Sequence, residues 1–189
     1  MESWELPTSA TIGGETYRIR SDFRVALDLL KILSDPEISD TTRTALAFEV
    51  FFPDYLSIPR ERQEEAAEYM RWFLSGGGNA TQPRRKLADW EQDFPLLISP
   101  VNRVLGYDAR AVAYDFDANE GGLHWWTFLG AYMEIGDCLF AQVVSIRRKK
   151  SKGKRLDKHE QEFYRENRKL IDLRVTETDA EKEILEAWM

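Results

Sequence analysis

The chain has 189 residues, 43% of them apolar and 12% aromatic, with a net charge of −7; this supports a real core and excludes the polar, highly charged regime of disorder. One cysteine, Cys138, excludes an intrachain disulfide and a cysteine-built zinc site, and no apolar run approaches the ~20 residues of a membrane helix. The opening Met1-Glu2-Ser3-Trp4-Glu5 carries two acids and no base, unlike a secretory signal, so the expectation is a folded cytoplasmic protein without cofactor or membrane partner.

The elements follow in order. Ala10, Ile12, Tyr17 and Ile19 alternate with polar residues around Gly13-Gly14, the signature of a short β-hairpin. Ser21 is placed to cap a helix beginning near Asp22, with Phe23, Leu27 and Leu30 inward, joined by Val25 and Leu33. Asp35-Pro36 stops it. A second helix is expected from Ser39 or Asp40 to Phe52, and a third from Pro59 to Ser75, where Ala66, Tyr69, Met70, Phe73 and Leu74 keep helical spacing. Gly76-Gly77-Gly78 and the polar run to Lys86 read as a linker. The chain thus divides into 1–75, a linker at 76–86, and 87–189, the two outer parts packing separately or together.

Beyond it, Leu87–Leu105 reads as a helix interrupted or kinked near Pro95 and Pro100. Residues 106–122 show no clean pattern, and 115–122 reads as loop. Leu123 to Ile135 is a dense apolar helix closed by Gly136, and Leu139–Ile146 is apolar again, compatible with helix or strand, helix being favoured. Asp157 and Glu160 are spaced as a capping pair ahead of a stripe of Leu156, Phe163, Tyr164, Leu170 and Ile171. Thr178 and Glu181 begin a short last helix. The fold class is mostly α, a helical domain of about seven helices with a short N-terminal β-hairpin.

The chain carries no phosphate loop, dinucleotide fingerprint, nucleophile elbow or paired-histidine metal helix. Its two histidines, His124 and His159, fall in different expected helices; His124 reads as a satisfied core or interface residue and His159 as surface. Asp115, Asp117 and Glu120 lack the remaining ligands of a calcium loop and read as a solvated turn. Trp125 and Trp126 point about 100° apart on a helix, so both are core or one faces a partner.

Charge is uneven: −10 over residues 1–146, +7 over the band 147–155, and −4 over 156–189. An acidic body with no aromatics inside its basic band argues against nucleic acid. The band is expected as a solvated loop that balances the body, or as a contact for an acidic protein surface. These features point to a binding protein rather than an enzyme.

LHWWTF (Leu123–Phe128), VVSIRRKK (Val143–Lys150) and EFYREN (Glu162–Asn167) resemble the phage tail protein family called bacteriophage gene-product-fifteen. DFR (Asp22–Arg24), WF (Trp72-Phe73) and DWEQD (Asp89–Asp93) fit in the same order, and the resemblance spans roughly residues 17–173. It implies a tail assembly chaperone, or a downstream extension of one, that keeps the tape measure protein soluble and recruits tail-tube subunits. It supplies no catalytic residue. It implies importance for His124, Trp125, Trp126, Phe128, Ile146 and Arg147. With Arg148, Lys149 and Lys150 of the basic band, these are the candidate partner-binding residues. Self-association and a structural role in the tail or connector of the virion are the alternatives.

Overall fold

The computed structural model of the chain describes residues 4–78 and 87–174. The expected last helix and most of the expected linker lie outside these residues. The first element is the antiparallel hairpin β1 (Ser9–Ile12) and β2 (Glu15–Arg18), in which Ala10 faces Tyr17. Gly13 and Gly14 make its turn with φ of 59° and 88°, left-handed values that favour glycine. Ala10, Ile12, Tyr17 and Ile19 are all buried, so the alternation read from the sequence is the side that packs.

Helix α1 (Phe23–Ser34) starts on Asp22 rather than Ser21, because the Asp22 carboxylate accepts the Arg24 N–H at 2.9 Å. Its inward face is also shifted from expectation. Phe23, Val25, Ala26 and Leu29 are buried, whereas Leu27, Leu30 and Leu33 are only partly so. Helix α2 (Asp40–Phe51) is capped by Ser39. After two short 3-10 turns, α3 (Gln63–Leu74) begins a few residues later than its Pro59 start was expected.

Helix α4 (Trp90–Leu105) runs unbroken through Pro95 and Pro100 and ends on left-handed Gly106. An interior proline costs about 3 kcal/mol. Against that, Asp89 caps two N–H groups, and Leu97, Ile98 and Val101 are buried at ~1.5–3 kcal/mol each. The stretch without pattern holds a 3-10 turn at Ala109–Ala111 and a two-residue hairpin, β3 (Tyr114–Asp115) with β4 (Glu120–Gly121). The Asp115 carboxylate accepts the N–H groups of Asp117 and Ala118, so it builds the turn.

Helix α5 (Trp125–Met133) is followed by α6 (Leu139–Ser151), which carries the first half of the basic band. The band is therefore helical to Ser151 and not a loop throughout, because the apolar side of α6, with Val143 and Ile146, continues the same turns. Helix α7 (Lys158–Glu166) opens on a complete Asp157–Glu160 capping box, and α8 (Arg168–Ile171) follows. Eight α-helices and one N-terminal hairpin among the described residues make the chain mostly α, as expected.

The main core draws Ala10, Phe23, Leu29, Phe51 and Phe73 from before residue 76, and Leu97, Val101, Trp125 and Phe128 from after residue 87. A second cluster joins Val143, Ile146 and Ile171, with Phe163, Tyr164 and Leu170 against it.

Candidate functional site

The residues that carry the resemblance meet in two places. At the first, residues 21–23 lie antiparallel to 123–125: Phe23 N–H donates to Leu123 O at 2.9 Å and Trp125 N–H to Ser21 O at 2.7 Å. Asp22 sits in this crossing, 2% exposed. Besides capping α1, it accepts the Leu123 N–H at 2.8 Å and pairs with Arg24 at 3.1 Å. Arg24 in turn donates to the carbonyls of Arg110 and Val112, tying down the stretch before the tryptophans.

His124 caps α5. Its Nδ1 accepts the Trp126 N–H at 3.0 Å, so the neutral ring carries its proton on Nε2, which donates to Pro7 O at 2.9 Å. Burial pushes its pKa down, and the Pro7 bond opposes that in part. The two indoles reach the end of α3: Trp125 donates to Leu74 O at 3.1 Å and Trp126 to Phe73 O at 2.8 Å. Trp126 also meets Trp72 edge-on at 5.1 Å, and Phe23 stacks on Phe128 at 4.7 Å. DFR, WF and LHWWTF are one packed knot.

At the second place, Arg147 forms a two-pronged ion pair with Asp93, at 2.6 and 2.9 Å, with 5% and 1% of the two side chains exposed. Its remaining N–H groups go to the carbonyls of Leu87, Leu170 and Ile171. This buried guanidinium is fully used, which is what makes its burial tolerable. Asp93 also accepts the Asp89 N–H at 2.8 Å. So DWEQD and VVSIRRKK join, with EFYREN packed beside them through Phe163 and Tyr164.

The structure thus sorts the candidate residues. Trp125, Phe128, Ile146 and Arg147 are buried and present no surface to a partner in this conformation. His124 and Trp126 are half-buried, with their polar atoms engaged inside the chain. Of the basic residues, Arg148 is exposed, Lys149 pairs with Glu160, and Lys150 pairs with Asp172 while lying 3.8 Å from the Tyr164 ring centre. No group of three His, Cys, Asp or Glu side chains gathers as a metal site among the described residues. None of the described helices is long and apolar enough to cross a membrane.

The opening that the sequence did not reveal lies between α1 and the start of α4. It is a groove of 700 Å³ walled by Phe23, Leu27 and Leu30 on one side and Ala88, Trp90 and Phe94 on the other. Charged side chains rim it: Arg24, Asp28, Lys31, Glu91 and Arg110. Lys31 and Glu91 pair at 3.1 Å, Arg24 with Asp22, and Arg110 with Asp108. Burial raises the Asp28 carboxyl above its ordinary pKa, as an apolar neighbourhood does. The signal that could have found this groove was Leu27 and Leu30 forming a second apolar stripe beside the Phe23–Ala26–Leu29 face.

A family model described as Bacteriophage Gp15 protein matches residues 3–173. The chain belongs to the bacteriophage Gp15 family. No curated protein and no solved structure matches it significantly. In this Gp15 chain, the residues by which the family was recognised are chiefly those that close its core, and the groove stands beside them.

Proposed function

We propose that this Gp15 protein is a non-enzymatic tail-morphogenesis factor of a phage or prophage, acting in the host cytoplasm as a chaperone for the tape measure protein, the tail-tube protein or both. It holds an apolar segment of its client in the groove between α1 and α4. The observation that carries this reading is the groove itself, apolar on both walls and rimmed by paired charges, in a chain of a bacteriophage family. Open apolar surface of this kind suits protein contact, and binding of an aggregation-prone client there keeps the client in solution by mass action. The net charge of −7 favours the solubility of the complex.

The exposed part of the basic band, Arg148 with Lys150, serves in this reading as a secondary contact for acidic client surface. Arg147 takes no part, because it is committed to Asp93.

The test is co-expression with the tape measure and tail-tube proteins from the same genome, followed by affinity capture. Leu30→Asp or Leu27→Asn should lower capture about tenfold, the loss of one buried apolar anchor. Arg148→Glu with Lys150→Glu should lower it less, and more visibly at low salt. Capture unchanged by both groove variants overturns the proposed site. Turnover of a small molecule, lost on replacing one polar side chain, overturns the non-enzymatic reading.

A further inference from the structure

We propose that the groove between α1 and α4 takes an amphipathic helix of a client protein, which sets one Lys or Arg of its central turn against Asp28. That the guest belongs to a client rests on the function proposed above; its conformation and charge do not.

The walls of the groove dictate the guest's backbone. Inside α1 and α4 the peptide N–H and C=O groups bond within their own helix. Just ahead of α4, the Asp89 N–H goes to the Asp93 carboxylate at 2.8 Å. Neither hairpin, β1–β2 or β3–β4, contributes a lining residue, so among the described residues no strand edge runs along the groove. An extended guest would leave peptide groups unpaired against Leu27, Leu30, Trp90 and Phe94, whereas a helix pairs its own. The lining residues of α1 run from Phe23 to Ser34, the whole 12-residue helix, which is about 18 Å or roughly three turns. A guest helix of that length fills it.

Charge sets the guest's chemistry. Of the cations that line the groove, Arg24 is paired with Asp22, Lys31 with Glu91 and Arg110 with Asp108. Of its carboxylates, Glu91 holds Lys31, and Asp89 caps α4 by accepting the N–H groups of Glu91 and Gln92. Asp28 makes no hydrogen bond or ion pair among the described residues, and it is accessible midway along α1. Burial raises its carboxyl above the ordinary pKa despite the opposing pull of Lys31, so the empty groove leaves this charge poorly served. An incoming Lys or Arg finds a free carboxylate there. An incoming acid must first take Arg24, Lys31 or Arg110 from its present partner. The stem of a Lys or Arg covers apolar wall while its head reaches the carboxylate.

The probe is a displayed library of random ~16-residue peptides, long enough for three turns and their ends. It is selected on the full chain, and binders that persist on Leu30→Asp or Leu27→Asn are discarded. The survivors should share apolar residues at helical spacing and one Lys or Arg in the central turn. A synthetic survivor should gain helical circular dichroism on binding, and it should bind the Asp28→Asn chain about fivefold more weakly. Exchanging its base for norleucine should cost as much on the unaltered chain and nothing further on Asp28→Asn. Extended, acidic or base-free survivors, survivors indifferent to Asp28→Asn, or no groove-dependent survivors at all overturn the proposal. The library holds no phage client, so the two readings fail separately. Base-bearing helices that bind while client capture ignores Leu30→Asp sink the proposed client site. Client capture lost in Leu30→Asp but unchanged in Asp28→Asn sinks only this one.

Discussion

Asp93 and Arg147 hold one another 54 positions apart in sequence, with almost no water in contact with either. Removing one partner of such a pair strands the other as a buried, unpaired charge, at a cost of about 3–5 kcal/mol. Asp93→Ala and Arg147→Met should each lower the urea midpoint strongly, while Asp93→Leu combined with Arg147→Met should recover most of the loss. If the double variant is no better than the singles, the stranded-charge argument fails. Arg147→Lys should rescue little, because an ammonium cannot supply the fork and the three carbonyl bonds at once. The sequence displayed both residues plainly, one in an acidic block and one in a basic band. It could not show that they meet, and a charged residue is surface by default. That is why Arg147 was read with Arg148, Lys149 and Lys150, although only its neighbours reach water.

His124 carries a pH dependence with a definite sign. Its pKa is lowered by burial, so folding favours the neutral ring. Its contribution to stability is complete above its ordinary value of about 6.5 and is lost as pH falls through the lower folded value. Geometry gives the same answer, since a proton on Nδ1 removes the acceptor that caps Trp126 N–H. The urea midpoint should drop between pH 7 and pH 5 more steeply than in His124→Asn, which keeps a capping oxygen but does not titrate. Parallel pH profiles would remove His124 from the account.

Helices α3 and α5 are joined end to side in an unusual way. The last carbonyls of a helix lack partners within it, and at the end of α3 those of Phe73 and Leu74 take the two indole N–H groups of α5. Trp126→Phe keeps much of the apolar area yet takes from Phe73 O one of its donors, the Gly76 N–H remaining at 3.1 Å, at about 1 kcal/mol. A thermal melt should show it as a loss of several degrees, with Trp125→Phe at least as costly; a melt unchanged in both would refute the capping role. Gly77 makes this junction close: it lies at φ 83°, and a Cβ there would come within 2.9 Å of the Trp126 ring. The helix containing both tryptophans was legible from apolar density alone. Their partners were not, since backbone carbonyls carry no sequence signature. The face of α1 was legible only in part, Phe23 and Val25 being buried and Leu27, Leu30 and Leu33 partly so, for a related reason. Apolar residues cover two adjoining stripes, and spacing cannot tell which one meets the core and which one lines a groove.

The two apolar clusters imply two levels of cooperativity across the chain. The larger one spans residues on both sides of the 76–86 segment, while Val143, Ile146 and Ile171 form a smaller one. Helices α7 and α8 are held to the rest through α6, through Gln92 and through Arg147. In native-state hydrogen exchange, Arg147→Met should strip protection from α8 and the end of α7 while leaving the amides of α1 and α5 slow. Uniform loss across both clusters would mean a single unit instead. The mostly helical class, the hairpin and the cap at Asp157 all follow from short-range rules, and they were readable. Leu27 and Leu30 mark one wall of the groove in the sequence, but the other wall comes from how α4 crosses α1, 60 positions away, and no local pattern encodes that.

Over the mouth of that groove, Lys31 of α1 reaches Glu91 of α4, and both side chains are more than 60% exposed. Exposed pairs of this sort contribute about 0–1 kcal/mol and fade with salt. The clasp is therefore feeble. In the function proposed above, so slight a fastening sets little energy against a client's entry, and added salt eases that entry further.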